Sequence, residues 1–296
     1  MVKQKSGIVK RAIVTPDKHV PLHDKAAISV LKQAIEIVKP DIYIDLGDLG
    51  EWGGASHWQW ARKKKPPLEY ITPKIEQDIE DVNDFLDDID KCLDKVGCKE
   101  RYICQGNHDA WLDMFVAEHP YLPQYKFKDA CRFKERGYKV YPAGLPPEKW
   151  LKVGKLHFYH GHHKAGLHHA KAHLQLGGNV MYGHHHSLQQ ASVTHIDGPK
   201  SAWSAGCLKD MSHDKNLWLG GKAITWAHAF AVVDFFRGGL FTVHMVQIIN
   251  GRTSLWGELI EGNKEKDGKL NSHTYRRYYA KWSAIWHNKY KINYWY

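Results

Sequence analysis

The chain is predicted to be an α/β protein in which two sheets pack together with helices outside them. Three observations predict this. Between Ala12 and Leu46 a β-prone run, an amphipathic helical pattern and a second β-prone run follow one another. Such a β-α-β unit needs a crossover connection and sets at least one pair of strands parallel. From Tyr138 onward the pattern is mostly extended. Five short segments bearing Asp, His or Asn each follow a predicted strand, so one sheet edge would gather them.

Taken in order, Ala12-Ile13-Val14-Thr15 is the first strand; it ends at Pro16, and Asp17-Lys18-His19 follows. Residues 24 to 38 place Ala27, Val30, Leu31, Ala34, Ile35 and Val38 at three- and four-residue spacing, an amphipathic helix stopped by Pro40. The strand Ile42-Tyr43-Ile44-Asp45-Leu46 runs into Gly47-Asp48. A loop from Glu51 to Pro67 carries Trp52, His57, Trp58 and Trp60, then the basic run Arg62-Lys63-Lys64-Lys65. An acidic helix over about residues 73 to 95 has the apolar stripe Ile75, Ile79, Val82, Leu86, Ile89 and Leu93, and its carboxylates are assigned to a solvated face. Arg101 to Cys104 is a strand ending in Gln105-Gly106-Asn107-His108-Asp109. Strands are then expected at Tyr138 to Tyr141, Lys155 to Tyr159, Val180 to Tyr182, Ala202 to Leu208, Ala229 to Phe236 and Leu240 to Ile249. Arg237-Gly238-Gly239 signals a hairpin between the last two, and a helix around 164 to 175 separates the strands ending at His160 and His184.

The 296 residues suffice for a sizeable core, and 43% hydrophobic with 25% charged residues is a globular composition. The net charge of +10 points to a polyanionic partner or anionic substrate, or simply to a basic surface. Met1 to Lys10 is polar and basic, with no apolar stretch behind it to suggest a signal peptide. No apolar run approaches the roughly 18 residues that span a bilayer, so no membrane partner is expected. Cys92, Cys98, Cys104, Cys131 and Cys207 are odd in number and lack metal-type pairing. They read as reduced thiols of a cytoplasmic protein.

Imidazole and carboxylate donors together suit Mn, Zn, Fe or Ni. Two divalent ions about 3.5–4 Å apart need a bridging carboxylate. Asp48 is the natural bridge, because Gly47 lets the backbone turn sharply before it. Asp17 and His19, two residues apart on a turn, can reach one ion, and His186 points back to it. Asn107, His160 and His184 can hold the other. His157, His160, His162 and His163 crowd together; His160 is chosen because it closes an apolar strand and precedes Gly161. His185, between two ligands, is given no metal, and His168, His169 and His173 are placed on the surface or beside the site.

Asp-x-His, Gly-Asp, Gly-Asn-His-Asp, His-Gly and Gly-His-x-His in this order resemble the calcineurin-like metallophosphoesterases. The resemblance covers about residues 11 to 190, and the later strands fit that family's second sheet. It implies a four-layer α/β/β/α sandwich of two mixed sheets with flanking helices, with a dinuclear centre at the strand ends. Carried over by position, it gives Asp17, His19, Asp48 and His186 to one metal and Asp48, Asn107, His160 and His184 to the other, with manganese the expected ion. It makes His108 the general acid or transition-state donor and has Asp109 orient it. Two such ions polarise a phosphoryl group and acidify a water that attacks phosphorus in line. Pro16 departs from the family, which more often has a small residue before the first Asp.

A catalytic domain is expected over 8 to 262, followed by a basic, aromatic segment over 263 to 296. Within that segment Tyr275, Tyr278, Tyr279, Trp282 and Trp286 alternate with Arg276, Arg277, Lys281, Lys289 and Lys291. Aromatics beside cations commonly hold single-stranded nucleic acid, although such a stripe also packs on a core. The leading expectation is a phosphodiesterase or nuclease acting on nucleic acid or nucleotides. A phosphomonoesterase or protein phosphatase is the alternative, and a nucleic-acid-binding module with a vestigial metal site is the third. The oligomeric state is left open.

Overall fold

Four parallel strands, β1 (Ile8–Thr15), β2 (Ile42–Asp45), β3 (Glu100–Cys104) and β4 (Tyr138–Tyr141), form one side of the six-stranded first sheet. β10 (His228–Phe236) adds antiparallel to β1, and β11 (Phe241–Ile248) antiparallel to β10, giving the order β11-β10-β1-β2-β3-β4. The computed structural model describes residues 7–56, 64–162, 168–176, 178–196, 198–219 and 225–262. The expected segment 263–296, together with His57, Trp58, Trp60, Arg62, Lys63 and His163, lies outside them.

The second sheet has the order β5-β6-β7-β9-β8, from β5 (Leu151–Val153), β6 (Leu156–Tyr159), β7 (Asn179–Tyr182), β8 (Leu188–His195) and β9 (Gly198–Ala205). Here β6, β7 and β9 are parallel, while β5 and β8 run antiparallel at the two edges. Strand side chains alternate between faces, and that alternation builds the layers. Ala12, Val14, Ile42 and Ile44 of the first sheet pack with Leu156, Phe158, Met181 and Trp203 of the second. Ile13, Tyr43 and Ile103 point the other way, into a core with α1 (Lys25–Val38), α2 (Leu68–Val96) and α3 (Asn107–Glu118). On the far face of the second sheet Tyr159, Val180, Tyr182 and Ala202 meet Leu174 of α5 (His169–Leu174). A further helix, α4 (Phe127–Ala130), is a single turn that buries Phe127. The result is the α/β/β/α sandwich that the sequence resemblance implied.

Asp24 caps α1 by accepting the Ala27 N–H at 2.7 Å, and all six expected stripe residues are buried. The acidic helix begins five residues before the expected start. Pro73, which removes one hydrogen bond to Glu69, is tolerated near the exposed end. Its carboxylates were expected on a solvated face, but two of them are buried. Asp78 is buried and accepts the Gly54 N–H at 3.2 Å, and Asp90 binds Arg101, Arg136 and the Tyr138 hydroxyl. The strand expected over Ala202 to Leu208 lies instead at Gly198–Ala205 and stops at Gly206, where φ is 78°. The strand β5, the edge strand β8, the helix α3 and the hairpin β12 (Arg252–Leu255) with β13 (Glu258–Glu261) are additions that periodicity did not mark. The five cysteines are free, and no helix among the described residues is long and apolar enough to cross a membrane.

Candidate metal centre

The chain leaves β1 and β2 side by side, and the two loops are tied together by their backbones. The N–H groups of Lys18 and His19 both donate to the Asp48 carbonyl, at 3.0 and 2.9 Å. Gly47 turns with φ 99°, and a Cβ there would lie 2.3 Å from the Cys104 carbonyl oxygen. Only glycine lets the β2 loop press against the end of β3. Gly183 does the same after β7: a Cβ would sit 2.3 Å from Asp17 Oδ2. The next N–H, that of His184, donates to the Asp17 carboxylate at 2.9 Å.

These loops bring all seven expected ligands together. Asp17, His19 and His186 offer donor atoms within 4.8 Å of one another, and so do Asp48, His160 and His184. Asp48 Oδ2 lies between the groups, 3.7 Å from His19 Nε2 and 3.4 Å from His160 Nε2. Asn107 Oδ1 is 2.9 Å from His160 Nε2 and 2.8 Å from His184 Nδ1. Of the crowded histidines that are described, His157, His160 and His162, it is His160 that lies at the site. His162 instead approaches the Tyr159 hydroxyl at 3.0 Å, and His157 faces the Asn179 carbonyl.

The far ring nitrogens of His160 and His19 are already engaged, so their near ones face the site. His160 Nδ1 donates to the Leu46 carbonyl at 3.0 Å, and His19 Nδ1 lies 2.8 Å from the Glu51 carboxylate. On the inner side His19 Nε2 faces His186 Nε2 at 3.1 Å, and His160 Nε2 faces His184 Nδ1 at 3.2 Å. His186 Nδ1 is buried with no hydrogen-bond partner among the described residues. Lone pairs aimed at one another beside two buried carboxylates form a donor set suited to divalent cations. The electrostatics agree. Burial opposes charge on His160, yet the Asp48 carboxylate outweighs it and raises the imidazole to about 9. Without metal, a proton is drawn to the place where the field calls for a cation. Burial and the neighbouring His160 push His184 down to about 3; burial and Lys209 do the same to His19. Asp48 is held well below its ordinary value: burial resists, but the charges of His160 and His108 prevail.

His108 borders both groups, its ring 4.6 Å from that of His19 and packed at 3.9 Å on Trp111. Its Nδ1 donates to the Glu51 carbonyl at 3.1 Å, which leaves Nε2 for a ligand in the site. Asp109 does not orient it as expected. The Asp109 carboxylate is fully buried and accepts from Trp52 Nε1 at 2.8 Å, Gly106 N at 2.9 Å and Leu49 N at 3.1 Å. It pins the Asp48 loop to the start of α3. Burial and the nearby Asp48 raise it to about 7.

Sequence reasoning missed Glu51, which orients His19 and is itself bound by Lys209 Nζ at 3.0 Å. It also missed Lys18, buried between two ligands and paired with Asp45 at 2.7 Å. His169 and His173, expected at the surface or beside the site, are buried on α5 and form a further cluster with His185.

No family model matches the chain. The gene 54 protein of Mycobacterium phage L5 is 25% identical over 270 residues, covering 85% of this chain and 99% of that protein. The gene 54 protein of Mycobacterium phage D29 is 26% identical over 275 residues, with the same coverage. Among solved structures, a Vps29 single mutant from Entamoeba histolytica aligns with TM-score 0.42 at 13% identity, over 86% of this chain and 99% of that one. The Pseudomonas putida nuclease MPE aligns with TM-score 0.30 at 16% identity, over 79% of this chain and 87% of that one. The two-sheet sandwich is the one the sequence resemblance implied, but the five segments do not share one sheet edge as expected: three follow β1, β2 and β3 of the first sheet and two follow β6 and β7 of the second.

Proposed function

We propose that the chain is a dinuclear-metal phosphoesterase that hydrolyses phosphodiesters of nucleic acid or nucleotides. The observation that supports it is a single arrangement: two His/Asp groups meet at Asp48, with His108 beside both. Asp17, His19, Asp48 and His186 would hold one ion, and Asp48, Asn107, His160 and His184 the other. Such ions, when bound, supply Lewis acidity to the phosphoryl oxygens and an acidified water.

The protein's own groups do the rest. Glu51 keeps the His19 proton on Nδ1 and the Leu46 carbonyl keeps that of His160 on Nδ1, so both Nε2 atoms face the site. His108, its Nδ1–H tied to the Glu51 carbonyl, presents Nε2, which in the imidazolium form carries the proton passed to the leaving oxygen. Trp111 packs on the His108 ring and limits its rotation. The charge of +10 favours a polyanionic substrate over a neutral one.

The test is a substrate panel with Mn2+: bis-p-nitrophenyl phosphate against p-nitrophenyl phosphate, then single- and double-stranded DNA, RNA and cyclic nucleotides. Preference for the diester and for a nucleic acid or nucleotide is expected. Preference for the monoester would favour a phosphatase. Metal binding with no hydrolysis at all would reject the enzymatic reading.

A further inference from the structure

We propose that His169 is a positioning residue for the turn that carries His184 and His186. The inference rests on the dinuclear reading above. That turn, Gly183 to His186, leaves β7 after Tyr182 and delivers its last residue to Ser187. His184 and His186 both adopt left-handed backbone, with φ 68° and 59°, which a non-glycine residue does not hold unaided. Something outside the turn must hold it.

His169 reaches both of its ends. Its Nδ1 lies 2.7 Å from the Tyr182 hydroxyl and its Nε2 lies 2.6 Å from Ser187 Oγ. Between those two contacts the ring lies flat on His185, centroids 3.9 Å apart and planes 10° from parallel. One imidazole therefore spans the turn from its first flank to its last and covers the middle. His173, one helical turn further along α5, binds the His169 carbonyl at 2.7 Å and stacks on Tyr182 at 3.7 Å. These contacts seat α5 against β7.

The same three histidines resemble a third metal site, but their geometry argues against one. A metal lies in the plane of each imidazole that binds it. Stacked, near-parallel rings of His169 and His185 cannot both contain one ion, and both nitrogens of His169 already meet hydroxyls. The cluster is better suited to holding the turn than to holding an ion.

The experiment titrates metal-depleted full-length protein with Mn2+, by calorimetry and by electron paramagnetic resonance, which separates coupled ion pairs from single ions. Wild type is compared with His169→Phe, which keeps the stack on His185 and loses both polar contacts, and with His169→Gln, which keeps an atom able to bond Ser187. About tenfold weaker Mn2+ binding and a smaller coupled signal are expected in His169→Phe, as for residues that orient metal ligands. His169→Gln should recover much of that loss, and excess Mn2+ should restore kcat in both with KM little changed. Mn2+ binding by His169→Phe equal to wild type would overturn the proposal. So would a better recovery by Phe than by Gln, which would mean that packing alone matters. Loss of a third, separate Mn2+ equivalent would also overturn it, in favour of a metal site. If wild type itself bound no Mn2+ pair, the dinuclear reading would fail first, and the comparison of variants would not be needed to show it.

Discussion

Asp109→Asn separates two accounts of a residue that sequence alone placed beside His108. The substitution keeps the side chain's shape and removes one acceptor. At pH 8 the wild-type carboxylate is ionised and accepts from Trp52 Nε1, Gly106 N and Leu49 N, with Gly50 N at 3.4 Å. An amide has one oxygen. If that oxygen serves Trp52 and Leu49, the NH2 faces the Gly106 N–H; in the reverse orientation two donors lose their acceptor. A buried donor left without a partner costs about 1–3 kcal/mol, and we expect about 2 kcal/mol here. With a urea slope of about 3 kcal/mol/M for a chain of this size, the midpoint should fall by roughly 0.7 M. The measurement is urea unfolding at pH 8 with chelator present, so that bound metal does not mask the change. Mn2+ affinity should fall as well, because the Asp48 loop loses its pin. A midpoint within about 0.2 M of wild type, with kcat alone reduced, would refute the pin and return Asp109 to orienting His108.

Further outcomes follow from the same geometry. His108→Ala should retain both Mn2+ ions by calorimetry while kcat falls about 10²–10⁴-fold; loss of metal instead would make His108 a ligand. Glu51→Gln should weaken Mn2+ binding by about 10–100-fold, since His19 loses the carboxylate that fixes its tautomer; unchanged affinity would show that Lys209 or the backbone suffices. Asp78, raised from 3.8 to about 7 by burial, favours the protonated, folded form, so its contribution is complete below pH 3.8 and lost as pH rises through 7. Unfolding free energy should therefore fall by about 1.4 kcal/mol per pH unit between roughly 4 and 7 on account of this group. Asp78→Asn should flatten that slope in urea titrations across pH, and an unchanged slope would assign it to other groups.

The ligand segments were legible because each follows a short apolar run and four of the five carry a glycine beside the ligand, a local signal. Gly47 announced a sharp turn, which the structure shows pressed against Cys104; the close approach of Gly183 to Asp17 was not foreseen. What was hidden depends on distance in sequence or on exposure. Glu51 matters through His19, 32 residues away, and His169 through Tyr182 and Ser187. Asp90 reads as part of a solvated stripe until Arg101 and Arg136 are brought to it. The strand β8 is an edge, mostly exposed on both faces, so it carries no alternation to detect. Asp109 was misread because its position beside His108 in sequence says nothing of a carboxylate turned into the Asp48 loop.

The left-handed backbone of the site has an evolutionary reading. His19, Asp48, His184 and His186 hold φ of 52°, 47°, 68° and 59°, and each such non-glycine residue costs about 1 kcal/mol or more. The ligands thus occupy positions where the fold alone would favour glycine. In a descendant that no longer needs metal, replacing any of the four by glycine would remove donor and strain in one step. Loss of the proposed centre is then downhill in stability, so its persistence in a lineage would mark continued selection for metal binding, and glycine at these four positions would be the first mark that selection had lapsed.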